Sequence, residues 1–166
     1  MPLPSRFGTV CADMQTLIKK GVDTIGVAIV FFCHDGQGRV LMAKRSEKAR
    51  DERGTWDIGG GALEFGETAE QTVRREIAEE YGATVLACEF LGYRDVHRVQ
   101  NGVATHWIAL DFRARIDPAT VREGEPDVIQ QVQWFTRDTL PSPLHSQLPR
   151  VLATHGDKLW IAEALA

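Results

Sequence analysis

One stretch, from Gly59 to Ala83, restricts the fold more than any other: three consecutive glycines lead through a short polar segment into a helical pattern crowded with carboxylates. The helix has readable ends. Thr68 stands three residues before Gln71 as a capping box, Ala69, Val73 and Ile77 recur at i, i+4 and i+8, and Gly82 is placed to stop it. On a wheel of roughly 100° per residue with Ala69 at zero, Val73 and Ile77 fall at about 40° and 80°. Glu76, Glu79 and Glu80 fall at about −20°, −80° and 20°. They lie beside the apolar stripe, whereas a solvated, salt-bridged helix would carry them opposite it.

Three carboxylates within about one turn, partly desolvated, repel one another and need a compensating cation. Arg75 sits too far round the wheel to neutralise all three. Oxygen-only ligands suit a hard divalent ion such as Mg²⁺ or Mn²⁺ rather than zinc. The triple glycine is expected to interrupt regular structure through its backbone freedom. A glycine-rich turn of that kind can offer a backbone carbonyl to the metal and let a phosphate approach the main chain closely.

The rest of the chain reads as one α/β unit over residues 1–166, with an N-terminal extension (1–22) holding a short helix near Val10 to Lys20 and a helical C-terminal region (140–166). Thr24 to Cys33 and Arg39 to Arg45 form strands around the turn residues His34 to Gly38. A short strand is expected at Thr55 to Ile58. Two long strands, about Thr84 to Val99 and Val103 to Ile116, flank Asn101-Gly102, a strong hairpin signal. After the acidic loop Asp117 to Asp127, Ile129 to Phe135 supplies another strand. Strands interspersed with helices imply an α/β sandwich around a mixed sheet.

With 43% hydrophobic and 25% charged residues the chain can bury a core. A formal net charge of −4 argues against a general nucleic-acid partner, which would need a basic surplus. Cys11, Cys33 and Cys88 lack metal-site spacing and are odd in number, so they are read as small buried hydrophobes. The longest apolar run, Ile25 to Cys33, is too short for a bilayer, and Met1 to Ser5 lacks the pattern of a secretory signal. A reducing cytoplasmic location is expected. A symmetric homodimer is open to the chain through its N-terminal segment and proline-rich C-terminal end.

Gly61, five residues, Glu67, seven residues and then Arg75-Glu76-Ile77-x-Glu79-Glu80-x-Gly82-Ala83 resembles the signature of the Nudix hydrolases, which cleave nucleoside diphosphates linked to another moiety. The resemblance implies an α/β/α sandwich and Mg²⁺-dependent hydrolysis of a diphosphate bond in a nucleotide. It implies metal ligands at Glu76, Glu79, Glu80 and the Gly60 carbonyl, with the base among these glutamates. Arg75 becomes an orienting partner for a carboxylate, with Glu67 as its structural support. Arg45 matches a phosphate-contacting position, and Gly61 belongs to the substrate-facing loop. Trp56 and Phe65 are candidates to stack on a base, although aromatics beside a glycine turn more often pack into a core.

Two departures from the family pattern stand out. Ala83 replaces a bulkier aliphatic, and Gly59 replaces a common proline. Glu123, Glu125 and Asp127 are candidates for a further acid outside the signature.

The run Gly61 to Thr68 resembles members that convert nucleoside triphosphates to monophosphate and pyrophosphate. Hydrolysis of ADP-ribose or a nucleotide sugar is the runner-up, and a nucleotide sensor without catalysis is the reading from another class. His97 and His106 are expected to pair across the hairpin. Trp107, Trp134 and Trp160 are read mainly as core or interface residues, and His34, His145 and His155 receive no role.

Overall fold

The computed structural model describes residues 18–100 and 102–162. Most of the expected N-terminal helix, and Cys11, lie outside them. Among the described residues, seven strands form the sheet: β1 (Gly26–His34), β2 (Val40–Arg45), β3 (Trp56–Asp57), β4 (Gly59–Ala62), β5 (Val85–Gln100), β6 (Val103–Ile116) and β7 (Ile129–Phe135). Helices α1 (Ala69–Tyr81) and α2 (Leu148–Leu159) flank it.

β1 and β2 leave their turn as an antiparallel pair, His34 opposite Val40, and then diverge. β1 runs parallel to β6 along its whole length and pairs antiparallel with β4 on its other side. β2 instead lies between β7 and β3. The sheet is therefore mixed, as the interspersed strands and helices imply.

Alternation along the strands sends side chains to two cores. Ile29, Phe31 and Cys33 of β1 and Leu41 of β2 join Val73, Ile77 and Tyr81 of α1. Phe32, Val40 and Met42 face the other way and meet Leu148, Val151 and Leu159 of α2. Each helix thus covers one face, an α/β/α sandwich. Val73 and Ile77 are fully buried, and each such side chain contributes roughly 1.5–3 kcal/mol of transfer free energy.

The triple glycine departs from its expected role. Gly59, Gly60 and Gly61 do not break the chain but form β4, paired in register with Phe31, Val30 and Ile29. None of the three has positive φ. Their missing side chains create space: a Cβ on Gly59 would lie 2.0 Å from the Phe31 ring, and one on Gly61 would lie 1.9 Å from a Glu76 carboxylate oxygen. Glycine here serves close approach between strand and helix.

Candidate active site

Local sequence sets the phase of α1. The Thr68 hydroxyl accepts from Gln71 N–H, the Gln71 side chain accepts from Thr68 N–H, and Gly82 closes the helix in a left-handed conformation. With Val73, Ile77 and Tyr81 locked in the core, Glu76 and Glu80 are turned onto the bare glycine strand. Gly60 N–H donates to Glu80 Oε1 at 3.4 Å, and a Cβ on Gly59 would meet Glu80 Oε2 at 2.6 Å.

Arg75 organises the remaining acids. Its guanidinium donates to both carboxylate oxygens of Glu67 (2.9 and 3.1 Å), to Glu76 (2.8 Å) and to Glu79 (3.1 Å). Glu67 also accepts from the Thr72 hydroxyl at 2.7 Å. The Arg75 and Thr72 hydrogen bonds bring Glu67 down to about 2, and the Arg75 guanidinium is raised in return, chiefly by Glu67. Among the contacts of the described residues, Arg75 does not reach Glu80. Burial pushes Glu80 well above the ordinary carboxylate value, and the charges of Glu76, Glu125 and Asp57 push it further. Glu76 rises for the same first reason, opposed by Arg75.

Of the three acids proposed outside the signature, the chain brings Glu125 to the cluster. The loop that carries it folds onto the end of α1, where Arg122 N–H donates to Tyr81 O (2.8 Å) and Gly124 N–H to Glu80 O (3.0 Å). Glu125 then shares a small recess with Glu80, Asp57 and Arg45. Asp127 instead pairs with Lys48 at 2.6 Å on the exposed surface.

Beside Glu80 opens a cavity of about 530 Å³ between the sheet and α2. Its floor is Ala28, Val30, Ala109 and Trp107, its near wall is β4, and its far side carries Arg94, Val96 and Arg98 of β5. The backbone of Trp56 donates to Pro143 O and accepts from His145 N–H, both at 2.8 Å, which places His145 at the rim.

The other sequence candidates separate in space. Arg45 lines the cavity, but its guanidinium is engaged with Asp51 at 2.5 Å, beside a bulge at Lys44/Arg45. Trp56 is only 8% exposed and packs edge-on against Phe135, so neither ring face is open to a base. Phe65 is fully exposed in the loop before α1 and does not line the cavity. Ala83 is buried in the α1 core. Trp134 packs against the α1 core under the Arg39 guanidinium, and Trp160 packs against the α2 core. Trp107, read mainly as core, forms cavity floor.

Sequence reasoning missed Arg94, Arg98 and His145, because each is placed by partners distant in the chain. Arg98 binds Glu52 (2.9 Å) and Asp51 (3.3 Å), and His145 Nε2 lies 3.2 Å from Glu52. Arg94 donates to Asp111 at 3.0 Å, and His155 Nε2 lies 3.0 Å from the same carboxylate. The local signal for Arg94 and Arg98 was two basic side chains four residues apart on one face of a strand, and His145, in a loop, offered none.

The donor set around α1 fits a hard cation. Carboxylates are pressed into a cradle that any Cβ would fill, with like charges raising one another, and they offer only oxygen. Solved structures share the surrounding architecture: the MutT NUDIX hydrolase from Burkholderia pseudomallei superposes with a TM-score of 0.69 at 31% identity, covering 79% of this chain and 98% of that one. Among curated proteins, the NAD-capped RNA hydrolase of Pseudomonas aeruginosa is 36% identical over 123 residues, 74% of this chain and 40% of that protein. The 8-oxo-dGDP phosphatase of Mus musculus is 32% identical over 122 residues, 72% of this chain and 35% of that protein. This chain therefore spans about 40% or less of the curated relatives it matches. A family model described as NUDIX domain matches residues 24–155, from two residues before β1 into α2, and takes in both the glycine strand and the glutamates. With that match over most of its length, the chain belongs to the NUDIX domain family.

Proposed function

We propose that this chain hydrolyses the diphosphate bond of a nucleotide with a divalent cation, Mg²⁺ or Mn²⁺, converting a nucleoside triphosphate to monophosphate and pyrophosphate. The observation that carries this reading is the Glu76/Glu80 pair, seated on a side-chain-free strand at the edge of a nucleotide-sized cavity. The run Gly61 to Thr68, which resembles that of members converting nucleoside triphosphates, supports the triphosphate class.

Glu76, Glu79, Glu80 and the Gly60 carbonyl would hold the cation. When bound, it supplies charge to offset the phosphate oxygens and lowers the pKa of water. The chain does the rest. Glu80, left without an arginine, is the group best disposed to take the proton of the attacking water once a cation balances its neighbours. Arg75 holds Glu76 and Glu79 in place and is anchored by Glu67. The nucleoside occupies the cavity over Trp107, with β4 beside its phosphates, and Arg45 and Arg98 stand at the rim, each ion-paired with Asp51. A reducing cytoplasm suits the buried, unpaired Cys33.

A second reading is a dinucleotide or nucleotide sugar, such as an NAD-type substrate or ADP-ribose, which the 36% identity to an NAD-capped RNA hydrolase supports. The test is release of pyrophosphate or nucleoside monophosphate from a panel of nucleoside triphosphates, ADP-ribose, nucleotide sugars and NAD, with Mg²⁺. Turnover of triphosphates that disappears in Glu80→Gln is the expected result. Turnover confined to NAD or ADP-ribose replaces the substrate class, and nucleotide binding without turnover replaces hydrolysis with sensing.

A further inference from the structure

A second cluster of metal-ligating side chains lies on the β5–β6 hairpin. Arg94, Val96 and Arg98 of β5 and Thr105 and Trp107 of β6 line the cavity, so alternation turns Asp95, His97 and His106 to the opposite face. His97 and His106 stand directly opposite in the antiparallel register, with ring centroids 4.1 Å apart and planes inclined by 30°. Asp95 is two residues back on the same face, and its Oδ1 lies 3.2 Å from His106 Nε2.

We propose that Asp95, His97 and His106 form a second metal site, selective for a borderline divalent ion of the zinc class and independent of the helix glutamates. One ligand atom from each residue lies within 4.8 Å of the other two. Ligands held about 2.0–2.1 Å from a tetrahedral ion are about 3.4 Å from one another. The His106–Asp95 pair, at 3.2 Å, is within a few tenths of an ångström of that separation. His97 is exposed, so a χ rotation into solvent-accessible space closes the other two edges.

Two imidazoles and one carboxylate, with a fourth position open to water, form a donor set that zinc accepts. Mg²⁺, which takes oxygen ligands in octahedral geometry, does not. The chain would thus sort two cations by ligand chemistry: oxygen at α1, nitrogen at the hairpin. Occupancy ties β5 to β6 behind Arg98 and Trp107, where His106 N–H already donates to Gly21 O at 2.8 Å. It therefore stiffens the far wall of the cavity.

The test is calorimetric titration of the metal-stripped full chain with Zn²⁺ in a large excess of Mg²⁺, repeated with Co²⁺ while following its visible ligand-field absorption. The chain, His97→Ala, His106→Ala and Glu80→Gln are compared, and melting without metal checks that each variant is folded. The expected result is one Zn²⁺ per chain that Mg²⁺ does not displace, weakened about tenfold or more by either histidine variant and retained by Glu80→Gln. Zinc bound equally by both histidine variants, displaced by Mg²⁺, held only at millimolar concentration, or lost in Glu80→Gln while kept in the histidine variants would overturn the site.

Discussion

The two faces of the sheet treat an inward-turned carboxylate in opposite ways. On the α2 face, Asp111 is wholly buried and receives Arg94 from β5 and His155 from α2, so its negative charge is matched inside the fold. Against the α1 face, Glu80 has one long hydrogen bond from Gly60 and is crowded by Glu76, Glu125 and Asp57. Burial of charge is tolerated when partners are built in. Glu80 has no such partner among the described ion pairs, and an incoming cation or a proton would balance it.

The largest effect that bears on this contrast is catalytic. Glu80→Gln should reduce kcat by roughly 10²–10⁴, the range for loss of a positioned base, in a pyrophosphate-release assay. A variant that keeps its rate breaks the contrast outright. Asp111→Ala should act on stability instead. It leaves Arg94, whose side chain is 12% exposed, without its anion, and a broken buried pair costs about 3–5 kcal/mol. The shift in denaturant midpoint measures it.

A smaller effect has the opposite sign. A carboxyl raised above its ordinary 4.5 in the fold costs stability as pH rises past that value, so at neutral pH without metal Glu80→Gln should be the more stable protein. About 1 kcal/mol would raise Tm by roughly 2–4 °C in a chain of this size, and Mg²⁺ should raise Tm in the unmodified chain alone. The smallest effect concerns Glu67. Its pKa of about 2 means that its contribution is complete above 4.5 and fades as pH falls toward 2. Arg75→Ala should return its titration toward 4.5, read by NMR of the carboxyl carbon.

How much of this was legible in the sequence depends on how far each residue's partner lies along the chain. The ends of α1 are set by Thr68, Gln71 and Gly82, all within the helix or at its edge, so cap, length and glutamate register follow from local pattern. The hairpin at Gly102 is likewise local, and His97 meets His106 as expected. β4 was hidden, because a glycine run lacks strand propensity and becomes a strand only through its register with β1. For Trp56 the local pattern left two readings open, base stacking and the more frequent core packing, and Phe135, on β7, places the ring inside. Arg94, Arg98 and His145 gain their places from Asp111, Asp51 and Glu52, which no periodicity connects to them.

The bare strand β4 carries a consequence for heredity. Any codon change at Gly61 that alters the residue adds at least a Cβ where a Glu76 oxygen already stands, and any change at Gly60 brings one within 2.7 Å of the Ile29 carbonyl. A saturation map of the chain would therefore be as empty at Gly60 and Gly61 as at Glu76 and Glu80. Two of those columns would record the chemistry proposed for the glutamates, and two would record room kept clear for their side chains.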